Sequence, residues 1–227
     1  MILLEARNLT QTYTVGERTL NVLKDVSLSV QEGEFLVIAG SSGSGKSTLL
    51  SLLSGLDRPS SGSVLFRGKD ITDADEDDLA QLRNEAIGFV FQSFHLVPSL
   101  NALENVMFPA ELNGDPHARD RAEHLLSQVG LHPRMDNFPH QLSGGEKQRV
   151  AICRSLINRP AVIFADEPTG NLDSDNGRAI LQLLETSHRA EGATLVMVTH
   201  DREIASAAGR ILTLEDGRLS SPKTHAA

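Results

Sequence analysis

A single cysteine, Cys153, stands in 227 residues, so no disulfide can form within the chain. No leader with basic, apolar and small segments opens it, and a cytosolic location is expected. No apolar run approaches the roughly 18 to 20 residues that span a bilayer, so attachment to a membrane would come through a partner. Basic residues are outnumbered: 21 Lys and Arg against 30 Asp and Glu give a net charge of −9. That balance weighs against a general nucleic-acid binder held by counterion release, and no nucleic-acid partner is expected. Internal repeats and long heptad runs are missing as well. What remains is 40% apolar content, enough to bury a core in one large or two small domains.

Strand-like runs lie at EFLVIA (34–39), SVLFRG (63–68), IGFVFQ (87–92), AVIFAD (161–166), TLVMVT (194–199) and RILTLE (210–215). They alternate in part with helix-like stretches, which predicts parallel βαβ units. Asp216-Gly217 followed by RLS predicts a closing hairpin. LEARNLTQTY and VLKDVSLSV carry few helix-period apolar residues and read as an antiparallel pair. Residues near 101 to 158 read as a helical insertion broken at Pro109, Gly114, Pro116, Gly130 and Pro133. In the acidic run TDADEDD, Asp73, Asp75 and Glu76 are expected at the positive N-terminal end of a helix.

Between FLVIA and LLSLLSGL stands GSSGSGKST. Gly40, Gly45, Lys46 and Ser47 satisfy G-x-x-x-x-G-K-[ST], after a strand-like run and before a helix-like one, as a phosphate loop requires. Glycines let the backbone approach phosphate oxygens with N–H groups pointing inward, and the helix start adds its positive end. Ser41, Ser42, Gly43 and Ser44 complete the cradle, with Thr48 in the first helical turn. Lys46 would reach the β- and γ-phosphates, and Ser47 would fill part of an octahedral Mg²⁺ shell. AVIFADE supplies the carboxylates that such a site needs: Asp166 for the metal and Glu167 to orient or deprotonate an attacking water. Nucleoside triphosphate hydrolysis follows. LSGGE places Ser143, Gly144 and Gly145 before EKQRVAICRSLI, ordinarily only a helix cap but here a candidate second anion-binding helix start.

Taken in order, Tyr13, the loop 40–47, Gln92, LSGGE (142–146), AVIFADE (161–167), NLD (171–173) and His200 resemble the ATP-binding-cassette (ABC) ATPase family over nearly the whole chain. The resemblance implies an α/β fold: a P-loop NTPase (RecA-like) core with a mainly parallel sheet, an antiparallel β subdomain and an α-helical subdomain. The chain would be one ABC ATPase domain, with residues 1–92 and 159–227 as core and 93–158 as the helical subdomain bearing the signature. It also implies ATP and Mg²⁺ as ligands and a head-to-tail homodimer in the ATP-bound state, each ATP lying between one Walker A loop and the other subunit's LSGGE. Tyr13 would stack on adenine, Gln92 would touch Mg²⁺ or water, Asp173 would communicate across the dimer, and His200 would contact the γ-phosphate. Cys153 matches no family motif and is expected to pack on the signature helix.

VFQSFHLVPSLNALENVMFPAELNG and FADEPTGNLD are similar to the branch containing the LolD, MacB and FtsE ATPases. That likeness implies a separate membrane permease docking near residues 93–107 on the cytoplasmic side of the inner membrane, with export or extraction of a lipid, lipoprotein or other hydrophobic substrate. A signalling ATPase of the FtsE kind, acting on a cell-envelope enzyme without transport, is the alternative. Soluble cassettes that act on nucleic acid or ribosomes share the motifs, but typically need long coiled-coil insertions or two cassettes. P-loop kinases and GTPases do not need LSGGE, and no NKxD motif is present.

Overall fold

The computed structural model describes residues 1–16, 18–200 and 208–220. In chain order its elements are β1 (Ile2–Val15), β2 (Arg18–Gln31), β3 (Phe35–Ala39), α1 (Lys46–Leu53), β4 (Ser61–Phe66), β5 (Lys69–Asp70), α2 (Glu76–Ala86), β6 (Ile87–Val90), α3 (Ala102–Leu112), α4 (Ala118–Gln128), α5 (Gly144–Leu156), β7 (Val162–Asp166), α6 (Ser174–Glu191), β8 (Thr194–Thr199), β9 (Arg210–Glu215) and β10 (Arg218–Ser220). They fall into two compact units, Met1–Gln81 with Thr194–Ala227, and Leu82–Ala193.

In the first unit β3 lies between β8 and β9 and runs parallel to both. FLVIA and TLVMVT are almost wholly buried, which is why they read as unbroken apolar runs and not as alternating ones. β10 returns antiparallel along β9. The connecting Asp216 and Gly217 have φ of 48° and 78°, the left-handed pair that a two-residue hairpin turn demands. This turn seats on β2: the Lys24 amide donates to the Gly217 carbonyl at 2.8 Å, and a Cβ on Gly217 would overlap the Val22 carbonyl oxygen.

β1 and β2 form the expected antiparallel pair, with Leu4 opposite Val30 and Ala6 opposite Leu28. SVLFRG departs from expectation, because β4 pairs antiparallel with β1, Ala6 facing Val64. A parallel return needs a crossover of about a dozen residues or more. Arg67 and Gly68, at φ 48° and 79°, instead turn β4 straight back into β5. Asp75 caps α2 by accepting from the Asp78 amide at 2.8 Å, with Glu76, Asp77 and Asp78 in the first turn, so the acidic run serves the helix start as expected.

In the second unit β6 and β7 pair in parallel. α3, α4 and α5 share a core that includes Leu103, Val106, Leu126, Val150, Cys153 and Ile157. Gly114 and Gly130, at φ 67° and 72°, follow the ends of α3 and α4. Pro109 does not break the chain there: α3 runs through it. Leu103, Val106 and Ala110 bury one face of that helix, and its start carries a complete capping box from Asn101 and Glu104, which together outweigh the lost backbone donor.

Cys153 is fully buried on α5, and that burial pushes its thiol up to about 12. The native protein is therefore expected to be silent to a thiol-reactive disulfide reagent at neutral pH, and to release one equivalent per chain once denatured. Rapid labelling of the folded protein would contradict this packing.

Candidate functional site

Gly40 follows β3 directly, and α1 begins at Lys46. A Cβ at Gly40 would overlap the Leu214 carbonyl oxygen, and one at Gly45 would lie 2.9 Å from Leu23 Cδ2 and 3.0 Å from the Val22 carbonyl oxygen. Gly43 and Gly45 are left-handed, at φ 79° and 102°. Conformation and close approach both hold this segment to glycine. Lys46 is buried, and its Nζ donates to the Gly40 and Ser41 carbonyls at 3.0 Å each, so the loop curls around its own lysine. The Ser44 hydroxyl is buried and lacks a hydrogen-bond partner among the described residues. No acidic residue stands in the first turn of α1, whose positive end favours an anion. Ser41, Ser42, Gly43 and Ser47 are exposed there, with Thr48 half-buried.

Ala39 pairs with Thr199 in adjacent parallel strands. Gly40 and the exposed His200 therefore leave the same C-terminal edge of the sheet, the edge where ligands of α/β folds bind. Tyr13 is exposed on β1, and its hydroxyl donates to Asp57 at 2.8 Å. Partial burial, with the Asp57 carboxylate beside it, raises the phenol pKa.

The second unit repeats this edge logic. Val90 pairs with Ala165, so Gln92 and the Asp166-Glu167 pair follow the C-terminal ends of adjacent strands. Glu167 has φ of 43°, a left-handed geometry that a glutamate adopts at a cost. Its carbonyl accepts from the Gly170 amide at 3.0 Å. The next residue, Asn171, donates from Nδ2 to the Gln92 carbonyl at 3.0 Å, while Gln92 Nε2 reaches Asn171 Oδ1 at 3.5 Å. Asp173 caps α6, accepting from the Asp175 and Asn176 amides at 3.2 and 3.0 Å. The Asn176 amide is the main reason the Asp173 carboxyl lies below the usual carboxylate range.

Ser143 caps α5 through a capping box: its hydroxyl accepts from the Glu146 amide at 3.3 Å, and its own amide donates to Glu146 at 2.8 Å. That amide, above all, holds the Glu146 carboxyl below its ordinary value. Ser143 is exposed and Gly144 half-buried, whereas Gly145 is buried, its Cβ position only 2.7 Å from Asn176 Oδ1. Farther along α5, Arg154 donates to the carbonyls of Phe94 and His95 at 2.9 and 2.6 Å. Those two residues are consecutive left-handed non-glycines, at φ 62° and 46°, and the guanidinium holds the turn they make.

Among the expected residues, the first unit thus gathers the loop 40–48 and His200 at one strand edge and places Tyr13 on β1. The second gathers Gln92, Asp166 and Glu167 at another edge and places Ser143–Gly145 and Asp173 at helix starts. Asn171, Arg154 and Asp57 escaped sequence reasoning. Asn171 lay inside the quoted NLD, but its partner is 79 positions away. Ser47, Gln92 and Asp166 offer only oxygen donors. Oxygen is the donor atom that Mg²⁺ takes, whereas thiolate and imidazole suit softer metals.

The sequence profile of the ABC transporter family matches residues 23–170. The chain is 48% identical over 221 residues to a macrolide export ATP-binding/permease protein MacB of Syntrophobacter fumaroxidans, covering 96% of this chain and 31% of that protein. It thus spans about a third of the length of such curated relatives. It is 50% identical over 219 residues to the uncharacterized ABC transporter ATP-binding protein YbbA of Escherichia coli, covering 96% of both. Among solved structures, the dimeric post-hydrolysis state of the ATP-binding cassette MJ0796 bound to ADP and Pi is similar with a TM-score of 0.90 and 42% identity, over 99% of this chain and all of that one.

Proposed function

Because the chain belongs to the ABC transporter family, we propose that it is the ATP-hydrolysing cassette of a transporter, and that ATP closes two copies on one another head to tail. Lys46 and the amides of residues 40–48 bind the phosphates, and Tyr13 stacks on adenine. Ser143, Gly144 and Gly145 face the γ-phosphate of the partner's nucleotide, His200 contacts that phosphate, and Asp173 communicates across the pair. Glu167 takes a proton from the attacking water. Ser47, Gln92 and Asp166 hold Mg²⁺, which when bound neutralises charge on the β- and γ-phosphates. The observation that carries this reading is the glycine loop itself: sterically confined at Gly40 and Gly45, left without an acid at the helix start, and curled around a buried lysine.

Residues 1–92 and 159–227 then act as catalytic core and 93–158 as a helical subdomain. The shared core of α3, α4 and α5 supports that division. Among the described residues no helix is long and apolar enough to cross a membrane. In this reading membrane action belongs to a permease docking near residues 93–107, on the cytoplasmic face of the inner membrane, and an exported hydrophobic substrate, a lipid or lipoprotein, fits the export role in the names of the MacB relatives.

Mixing tests the shared site. Lys46→Ala spoils a phosphate loop, and Ser143→Arg fills the place of the partner's γ-phosphate. Neither variant alone should turn over ATP, yet an equimolar mixture should regain roughly a quarter of the wild-type sites by random pairing across a two-fold interface. A mixture as inactive as its components would overturn the clamped dimer.

A further inference from the structure

Gln92 is half-buried just beyond β6, and its neighbours are tied down from other directions. Phe91 stacks on Phe89 at 4.1 Å between ring centroids, its carbonyl accepts from Gln148 at 3.4 Å, and Arg154 holds Phe94 and His95. The Gln92 side chain is different. Its contacts come from the turn that starts at Glu167.

We propose that Asn171 is a positioning residue for Gln92, clasping its backbone carbonyl and its side-chain amide at once so that Gln92 Oε1 is turned toward the metal and the attacking water. The proposal rests on the reading of Gln92 given above. A backbone carbonyl can only accept, so the Asn171 Nδ2 must face it, at 3.0 Å. Asn171 Oδ1 then points toward the Gln92 carboxamide, which must answer with its NH₂ group, at 3.5 Å. With nitrogen committed to Asn171, the acceptor oxygen faces the other way. An otherwise ambiguous amide is thus oriented by a group with no ambiguity.

Gly170 supplies a second, steric observation. A Cβ there would stand 2.8 Å from Gln92 Nε2, so the glutamine packs directly on the backbone of the turn. The Gly170 amide also donates to the Glu167 carbonyl. The strained turn that presents Glu167 is therefore the turn that holds Gln92, and the two side chains share one support.

The experiment compares Asn171→Ala, Gln92→Ala and the double variant in the full chain. Two readouts are used: ATPase kinetics, and the affinity for a fluorescent ATP analogue with Mg²⁺ divided by that with EDTA. Asn171 is exposed, so truncation leaves the core intact. Asn171→Ala is expected to lower kcat roughly tenfold, the worth of one positioning hydrogen-bond pair. It should shrink the Mg²⁺-to-EDTA ratio while leaving affinity in EDTA unchanged, and the double variant should be no worse than Gln92→Ala. If Gln92→Ala is impaired while Asn171→Ala matches wild type, or the two defects multiply, Asn171 does not act through Gln92. If Gln92→Ala itself behaves as wild type in both readouts, the role assigned to Gln92 falls first and takes the proposal with it.

Discussion

Lys46→Ala is expected to weaken ATP binding by roughly ten- to a hundredfold, the worth of one or two charge-assisted hydrogen bonds to phosphate. The lysine stands at the first position of α1, where the peptide dipoles already favour an anion. It is also buried, and its ammonium is held by the Gly40 and Ser41 carbonyls. Removing it deletes a phosphate cation and leaves two carbonyls without that donor, so affinity and loop shape are both at stake. Lys46→Met keeps much of the apolar stem and discards the ammonium, so it separates the ammonium's part from that of the stem's packing. Both variants should melt close to wild type yet bind MgATP about ten- to a hundredfold more weakly in titration calorimetry. Near-native affinity in Lys46→Met would mean that the charge is not what holds the nucleotide.

Glu167→Gln is expected to bind ATP as wild type does while turnover falls by about 10² to 10³, within the range for loss of a general base. Glutamine has nearly the same size and fits the same left-handed turn, so the substitution removes the carboxylate's charge and its capacity to take a proton while keeping its shape. With hydrolysis stalled, the ATP-bound dimer should accumulate and elute as a doubled mass in size-exclusion chromatography with light scattering, reverting to monomer when nucleotide is removed. Undiminished ATPase activity would exclude Glu167 as the base. Slow turnover without a dimer would keep the base and reject the clamp.

Much of this arrangement was legible in the sequence wherever one local cause dominated. TLVMVT and RILTLE became strands over the residues read, because burial and hairpin chemistry were written into adjacent positions. SVLFRG showed a strand but not its partner: VLF is as apolar in an antiparallel sheet as in a parallel one, and the residue facing Val64 is Ala6, far back in the chain. Pro109 misled because its penalty is local, while the buried face that outweighs it extends along α3. The glycine loop, the strand-end carboxylates and the signature cap were visible as motifs. The grip of Arg154 on the loop after Gln92 was not, since it joins positions 59 and 60 apart.

The hairpin of β9 and β10 touches the phosphate loop through the Leu214 carbonyl beneath Gly40, and bears on it at second hand where Gly217 seats on Val22, the residue that also crowds Gly45. A nascent chain has made the glycine loop long before it makes that hairpin. The loop is thus synthesised before the mould that shapes it, and its final form waits for that hairpin to dock.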